Sequence, residues 1–251
     1  MRHIMGGVLA IGLVAGLGSF ARADDKDVTA VLDKAIKALG GEEKLGKAKT
    51  ATWKAKGKIT FGTDENAFTS QVTVQGLDHL RSEFEGEFMG NKVKGVTVLK
   101  GDKGWRKFGD QGMELDKAGL TNEKRSAYLI VVPNTILPLK DKGFKAESAG
   151  EEKVGGKPAV AIKITGPDGK DFKLLFDKES GLPVKQLAKV AGFGGEQFTQ
   201  ETTFADYKDF DGIKKATKIE SKRDGQKFLE QQITEFKVLD KVDPKTFEEP
   251  E

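Results

Sequence analysis

Acidic side chains crowd two short stretches of the chain. Asp206, Asp209 and Asp211 stand within Ala205-Asp206-Tyr207-Lys208-Asp209-Phe210-Asp211-Gly212, and Asp168, Asp171, Asp177 and Glu179 follow one another closely. A calcium loop of the EF-hand kind needs acids at positions 1, 3 and 5, glycine at 6 and glutamate at 12. Counting back from Gly212 puts Asp209 and Asp211 in place, but Tyr207 and Lys218 occupy the first and last positions. The pattern fails, and these acids read as hairpin-turn residues on a solvated edge. His79 follows Asp78, two parts of a nucleophilic relay, yet no serine lies in a G-x-S-x-G context. His79 reads as a strand-edge residue. Gly192-Phe193-Gly194-Gly195 matches neither G-x-G-x-x-G nor a phosphate loop and reads as a hairpin tip.

Composition narrows the chemistry further. The chain has no Cys and only two His, one of them His3 near the start. Thiol nucleophiles, disulfides, iron–sulfur clusters and multi-His or Cys-ligated metal sites are therefore excluded. No catalytic residue, metal ligand or cofactor is assigned, and the expectation is a protein that is not an enzyme. The 42 Lys plus Arg nearly cancel the 39 Asp plus Glu. Most lysines alternate with Glu, Gln and Thr as a solvated sheet face, with no concentrated basic patch for nucleic acid.

Met1 to Ala23 reads as a cleavable signal peptide. Arg2 and His3 form the positive start, Ile4 to Phe20 is apolar and rich in small residues, and Ala21-Arg22-Ala23 is an A-x-A site. The expected product starts at Asp24, is soluble and exported, carries no transmembrane anchor, and forms a single domain over 24–251.

The elements that would position any site follow from hydrophobic periodicity. Val28, Val31, Leu32, Ala35, Ile36 and Leu39 make one stripe at helical spacing, so a helix is expected over 27–39, stopped by Gly40 and Gly41. From Ala51 the period becomes two: Ala, Trp, Ala, Gly, Ile and Phe alternate with Thr and Lys to Phe61. Similar alternation over 50–115 and again over 157–239, broken by Gly/Asp turns, predicts two blocks of antiparallel strands. Between them, 120–139 reads as a helical insertion that Pro133 should end. The fold class is therefore mainly β with helices: a strongly curved antiparallel sheet of about ten strands. The 16 Phe against 2 Trp and 2 Tyr fall largely on one strand face. That face is either filled core or the wall of a cavity beneath the helices.

Several stretches resemble the LolA-like superfamily of outer-membrane lipoprotein carrier and sorting proteins. They are Leu137-Pro138-Leu139, Phe176-Asp177-Lys178-Glu179-Ser180-Gly181-Leu182-Pro183-Val184-Lys185, Phe204-Ala205-Asp206-Tyr207-Lys208 with Asp211-Gly212, and the late Phe247 near Pro250. Gly212-Ile213-Lys214-Lys215-Ala216 departs from relatives in lacking a proline. The resemblance implies an incomplete antiparallel β-barrel of about eleven strands with a helical lid over a hydrophobic cavity. It also implies a periplasmic carrier that holds the acyl chains of a lipid or lipoprotein, extracellular where there is no outer membrane. An envelope sensor contacting a protein partner on the same fold is the alternative. The candidate cavity wall is Trp53, Ile59, Phe61, Phe68, Leu80, Phe84 and Phe88, with Leu129 and Ile136 from the insertion.

Overall fold

The computed structural model describes residues 25–88, 90–192 and 195–251; the leader expected over 1–23, the Phe88 side chain, and Phe193 and Gly194 of the hairpin tip lie outside the described residues. The first helix, α1 (Asp25–Leu39), buries the anticipated stripe of Val28, Leu32, Ala35, Ile36 and Leu39. It ends where Gly40 and Gly41 take φ of 137° and 88° and return N–H bonds to the carbonyls of Lys37 and Ile36. Gly40 also abuts the backbone of Gly212: a Cβ there would lie 2.4 Å from the Gly212 carbonyl oxygen. A one-turn-and-a-half helix, α2 (Glu42–Lys47), follows and buries only Leu45, too little for a sequence periodicity to register.

The first strand block comprises β1 (Thr50–Phe61), β2 (Asp64–Gln75), β3 (His79–Phe88), β4 (Asn91–Lys100), β5 (Lys103–Phe108) and β6 (Gln111–Glu114). Then comes α3 (Lys117–Thr135) with a 3-10 turn over Leu137–Lys140. The second block comprises β7 (Lys145–Val154), β8 (Lys157–Thr165), β9 (Asp171–Asp177), β10 (Pro183–Ala191), β11 (Gln197–Phe210), β12 (Ile213–Arg223) and β13 (Gln226–Val238), closed by a 3-10 turn over Pro244–Phe247.

All thirteen strands form one antiparallel, curved sheet in the order β6-β5-β4-β3-β2-β1-β13-β12-β11-β10-β9-β8-β7. The first and last strands pair with each other, so the two meanders join at their outer ends in sequence. The free edges, β6 and β7, flank α3 in the chain. The polypeptide leaves one edge, crosses the sheet face as α3, and resumes at the opposite edge. Thirteen strands exceed the ten or eleven expected because the two edge strands, β6 and β7, bury almost nothing. β6 is exposed along its length and β7 has no fully buried side chain, so neither shows a clear alternation.

The helical insertion starts earlier than expected, at Lys117, with Asp116 capping it: its carboxylate accepts the Gly119 N–H at 2.7 Å. Pro133 does not end the helix, which continues to Thr135. Proline has no N–H, so the carbonyl of Leu129 loses its helical donor. The buried Gln186 of β10 supplies the missing bond, Nε2 to Leu129 O at 3.1 Å.

Candidate functional site

Register fixes which side chains share the helix-bearing face. Trp53 pairs with Val72 and Phe236, Gly57 with Phe68 and Gln231, and Phe84 with Ser70 and Gly95. The same parity continues through Ile59, Leu229 and Ser221. One half of this inner face lies under the helices and is packed solid. Leu129 and Ile136 join the α1 stripe, Ile162, Ile164, Phe172 and Phe176 in one core cluster. Trp53 and Leu80 join Val72, Val74, Leu99 and Val131 in a second. Among the described residues, a void of about 20 Å³ lies between sheet and helices, bounded by Trp53, Val131, Asn134, Thr135, Lys215 and Phe236. That is room for about one water molecule.

Lys215 lines this gap and is only 3% exposed. Its Nζ stands 4.2 Å from the Trp53 ring centroid and 5.0 Å from that of Phe236, and donates to Asn134 Oδ1 at 2.9 Å. The Asn134 amide nitrogen is held by the Ile130 carbonyl at 2.7 Å, which turns the oxygen toward the ammonium. The last turn of α3 adds the negative end of a helix dipole. No carboxylate bonds Lys215 among the described residues, and burial pushes its pKa down to about 7.

A second buried network clamps α3 to the sheet. Arg125, 4% exposed, donates Nε to Lys189 O at 2.9 Å, Nη2 to Asp171 O at 3.0 Å and Nη1 to Asp168 Oδ2 at 3.2 Å. It also bonds the Tyr128 hydroxyl, which donates to Asp168 Oδ1 at 2.9 Å. Burial, above all, raises the Tyr128 hydroxyl pKa far beyond its ordinary value. Each guanidinium nitrogen and the Tyr128 hydroxyl donates to a protein acceptor, so the cluster is an anchor of α3.

The other half of the inner face extends beyond the helices and carries a band of aromatic and aliphatic side chains. Across the strands, Phe204, Ile219, Gln231, Gly57 and Phe68 stand in one row. Ile59, Phe68 and Phe84 are half-buried, while Phe61 is 48% and Phe108 51% exposed. Phe84 lies across Gly95, where a Cβ would fall 2.0 Å from its ring, and meets Phe108 at 6.0 Å between centroids. Phe61 meets Phe228 edge-on at 6.3 Å. Of the nine side chains singled out in the sequence, four thus sit in packed core and four on this uncovered band, with Phe88 undescribed.

Asp177, Asp209 and Asp211 stand at turns as expected, whereas Asp206 lies within β11 and Asp168 is held in the Arg125 network, off the solvated edge. Asp209 accepts the Gly212 N–H at 2.7 Å, Asp177 accepts the Ser180 N–H at 2.7 Å, and Asp206 and Asp211 take φ of 52° and 54°. His79 bonds Asp78 at 3.0 Å and stacks edge-on against the buried Phe247, which seats the C-terminal turn on the outer face. Among the described residues, no group of three or more His, Asp or Glu could hold a metal ion, and no helix is long and apolar enough to cross a membrane. The outer face carries an open groove of about 600 Å³ across β13, β1 and β2, lined by Lys56, Lys58, Thr69, Lys218 and Glu230 among others. Its charges are largely spent on one another, as in Lys58–Glu65 at 2.8 Å and Lys218–Glu220 at 2.8 Å.

Lys215, Gln186 and Arg223 were not singled out in the sequence, although a signal exists. Each shares strand parity with inward apolar neighbours: Lys215 with Ile213, Gln186 with Ala188, Arg223 with Ile219. A polar side chain at an inward position is the informative exception.

Solved structures share this architecture at low sequence identity. A LolA superfamily protein from Nitrosomonas europaea superposes with a TM-score of 0.60 at 12% identity, covering 88% of this chain and 97% of that one. A DUF1329 family protein from Desulfovibrio piger gives 0.55 at 14% identity, with the same coverage. A putative outer membrane lipoprotein-sorting protein domain from Vibrio parahaemolyticus gives 0.52 at 10% identity, covering 86% and 97%. No family model and no curated protein matches the sequence. The fold is LolA-like.

Proposed function

We propose that this chain, on its LolA-like fold, is an exported, non-enzymatic carrier that holds the acyl chains of a lipid or lipoprotein on the uncovered half of its inner sheet face. It is one unit beginning after Ala23 and works in the periplasm, or outside the cell where there is no outer membrane. The observation that carries the reading is the aromatic band beyond the helices. The covered half is closely packed, while on the other half Phe61 and Phe108 keep about half of their surface in water. Covering one half-exposed Phe ring removes about 100 Å² from water, worth about 2.5 kcal/mol. A cluster of such rings is a driving force for an acyl chain and a cost without one.

Native mass spectrometry of the mature protein after mild extraction tests this. A lipid adduct that is lost in Phe61→Glu and Phe108→Glu supports the carrier. A clean unliganded mass, together with no uptake of a fluorescent fatty acid, refutes it. The second reading, an envelope interaction module, draws on the free edges β6 and β7, to which a partner strand could add. Both edges are blunted: β6 has four residues, and β7 carries a register shift between Ser148 and Glu151 with Gly150 at φ 84°. The lipid reading therefore stands first.

A further inference from the structure

Arg223 differs from the other described arginines in what faces it. Arg81 holds Glu83 at 2.7 Å, Arg106 holds Glu123 at 3.2 Å and Arg125 holds Asp168 at 3.2 Å. Arg223 has no carboxylate within ion-pair distance among the described residues. Its guanidinium carbon lies over the Phe228 ring, 3.5 Å from the centroid, and 5.2 Å from the centroid of the Phe198 ring. One bond fixes it in plane: Nε donates to Gln200 Oε1 at 3.1 Å. The two terminal nitrogens carry no protein hydrogen bond among the described residues. Burial against these rings lowers its pKa, while the more distant Glu196 acts the other way.

The position matters as much as the pairing. Arg223 ends β12 at the rim of the aromatic band, with Phe61 edge-on to the ring that it stacks on. From there the inner face runs down through Ser221, paired with Leu229, and then Ile59, paired with Leu229 in turn. A fork-shaped cation at the rim of an apolar strip matches a molecule with an anionic head and a hydrocarbon tail. Planar guanidinium suits a phosphate or carboxylate through two parallel N–H bonds, and its strength grows where rings exclude water.

We infer that Arg223, held by Gln200 and stacked on Phe228, binds the anionic head group of a single amphiphile whose acyl chain lies along Ile59, Leu229 and Phe61. This inference rests on the carrier reading and adds the class of head group to it.

The test is calorimetric titration of the full mature chain and of Arg223→Gln and Arg223→Lys with four probes: dodecyl phosphate, laurate, neutral dodecyl maltoside and inorganic phosphate. Gln keeps the length and a donor but loses the charge; Lys keeps the charge but loses the fork. The expected result is tenfold or greater weakening of dodecyl phosphate, laurate or both in Arg223→Gln, an intermediate loss in Arg223→Lys, and unchanged dodecyl maltoside. Preference between dodecyl phosphate and laurate assigns the head as phospholipid-like or fatty-acid-like. If all three chains bind and the variants treat them alike, the head-group site is refuted and the carrier reading stands. If no chain binds the wild-type protein, both fail. Binding of inorganic phosphate as tight as that of dodecyl phosphate also refutes the inference, because the tail then contributes nothing. Thermal melts of both variants accompany the titrations, and loss of dodecyl maltoside binding with a collapsed melt in Arg223→Gln passes the decision to Arg223→Lys.

Discussion

Replacing Lys215 by Met should stabilise the protein, and the gain should depend on pH in a defined way. The buried ammonium has a pKa of about 7 against an ordinary 10.5, a gap that corresponds to about 5 kcal/mol. Between those two values the unfolded chain binds a proton that the folded chain does not. Stability therefore rises with pH across that window, at up to about 1.4 kcal/mol per pH unit, and is flat below it. At pH 7 nearly the whole cost is present. Methionine matches the stem, needs no hydration and packs its sulfur against Trp53 and Phe236. It also leaves Asn134 Oδ1 without its donor, which costs about 1–2 kcal/mol at a half-buried site. The net expectation is a gain of about 3 kcal/mol at pH 7, falling to zero or reversing by pH 10. Urea unfolding of both proteins at pH 7, 8, 9 and 10 reads the difference directly, because titrations common to both cancel. A difference that stays constant across that range would refute the buried-charge account of Lys215.

Three further outcomes follow from packing and hydrogen bonding. Gln186→Ala should cost about 1–3 kcal/mol by orphaning the Leu129 carbonyl that Pro133 leaves unbonded; replacing Pro133 by Ala in the same chain should recover most of it, as measured by chemical denaturation. Arg125→Met should cost about 3–5 kcal/mol, because it strands the Asp168 carboxylate among buried groups, and its melting temperature should fall well below that of an exposed-pair variant such as Lys47→Met. Gly95→Ala should displace the Phe84 ring, whose nearest atom would lie 2.0 Å from the new Cβ, at about 1–3 kcal/mol; hydrogen exchange should loosen along β3 and β4 while α1 is unaffected.

Much of the fold was legible because burial leaves a period. The α1 stripe, its two-glycine stop and the alternation through β1 to β5 and β8 to β13 each follow from one wet face and one dry face. The strands that escaped are those where that logic has no purchase. β6 is exposed along its whole length, β7 has half-buried residues but none fully buried, and α2 buries a single leucine. Pro133 misled for a different reason. A local rule forbids the helix from running through it, and a glutamine on a strand more than fifty residues away removes the objection.

The candidate site divides along the same line. Alternation placed Trp53, Ile59, Phe61, Phe68, Leu80 and Phe84 on one inner face, and register confirms that they share it. Alternation has no coordinate for distance along the strand. Trp53 and Phe61 have the same parity, yet one is 7% and the other 48% exposed. The difference is the footprint of α1 and α3. That footprint is set by where Arg125 grips the turn between β8 and β9 and where the chain crosses from one free edge to the other.

The sequence by itself determined the strand faces, the turns and the absence of thiol and multi-histidine chemistry, because these depend on residue type and local period alone. The tertiary structure decided that half of the inner face is filled and half is open. It also decided that Lys215 lies buried with no carboxylate bonded to it among the described residues and that Arg223 lies against phenylalanine rings at the rim. Those outcomes depend on which distant surfaces meet, and long-range packing of a curved sheet against a crossing helix leaves no mark in the spacing of neighbouring residues.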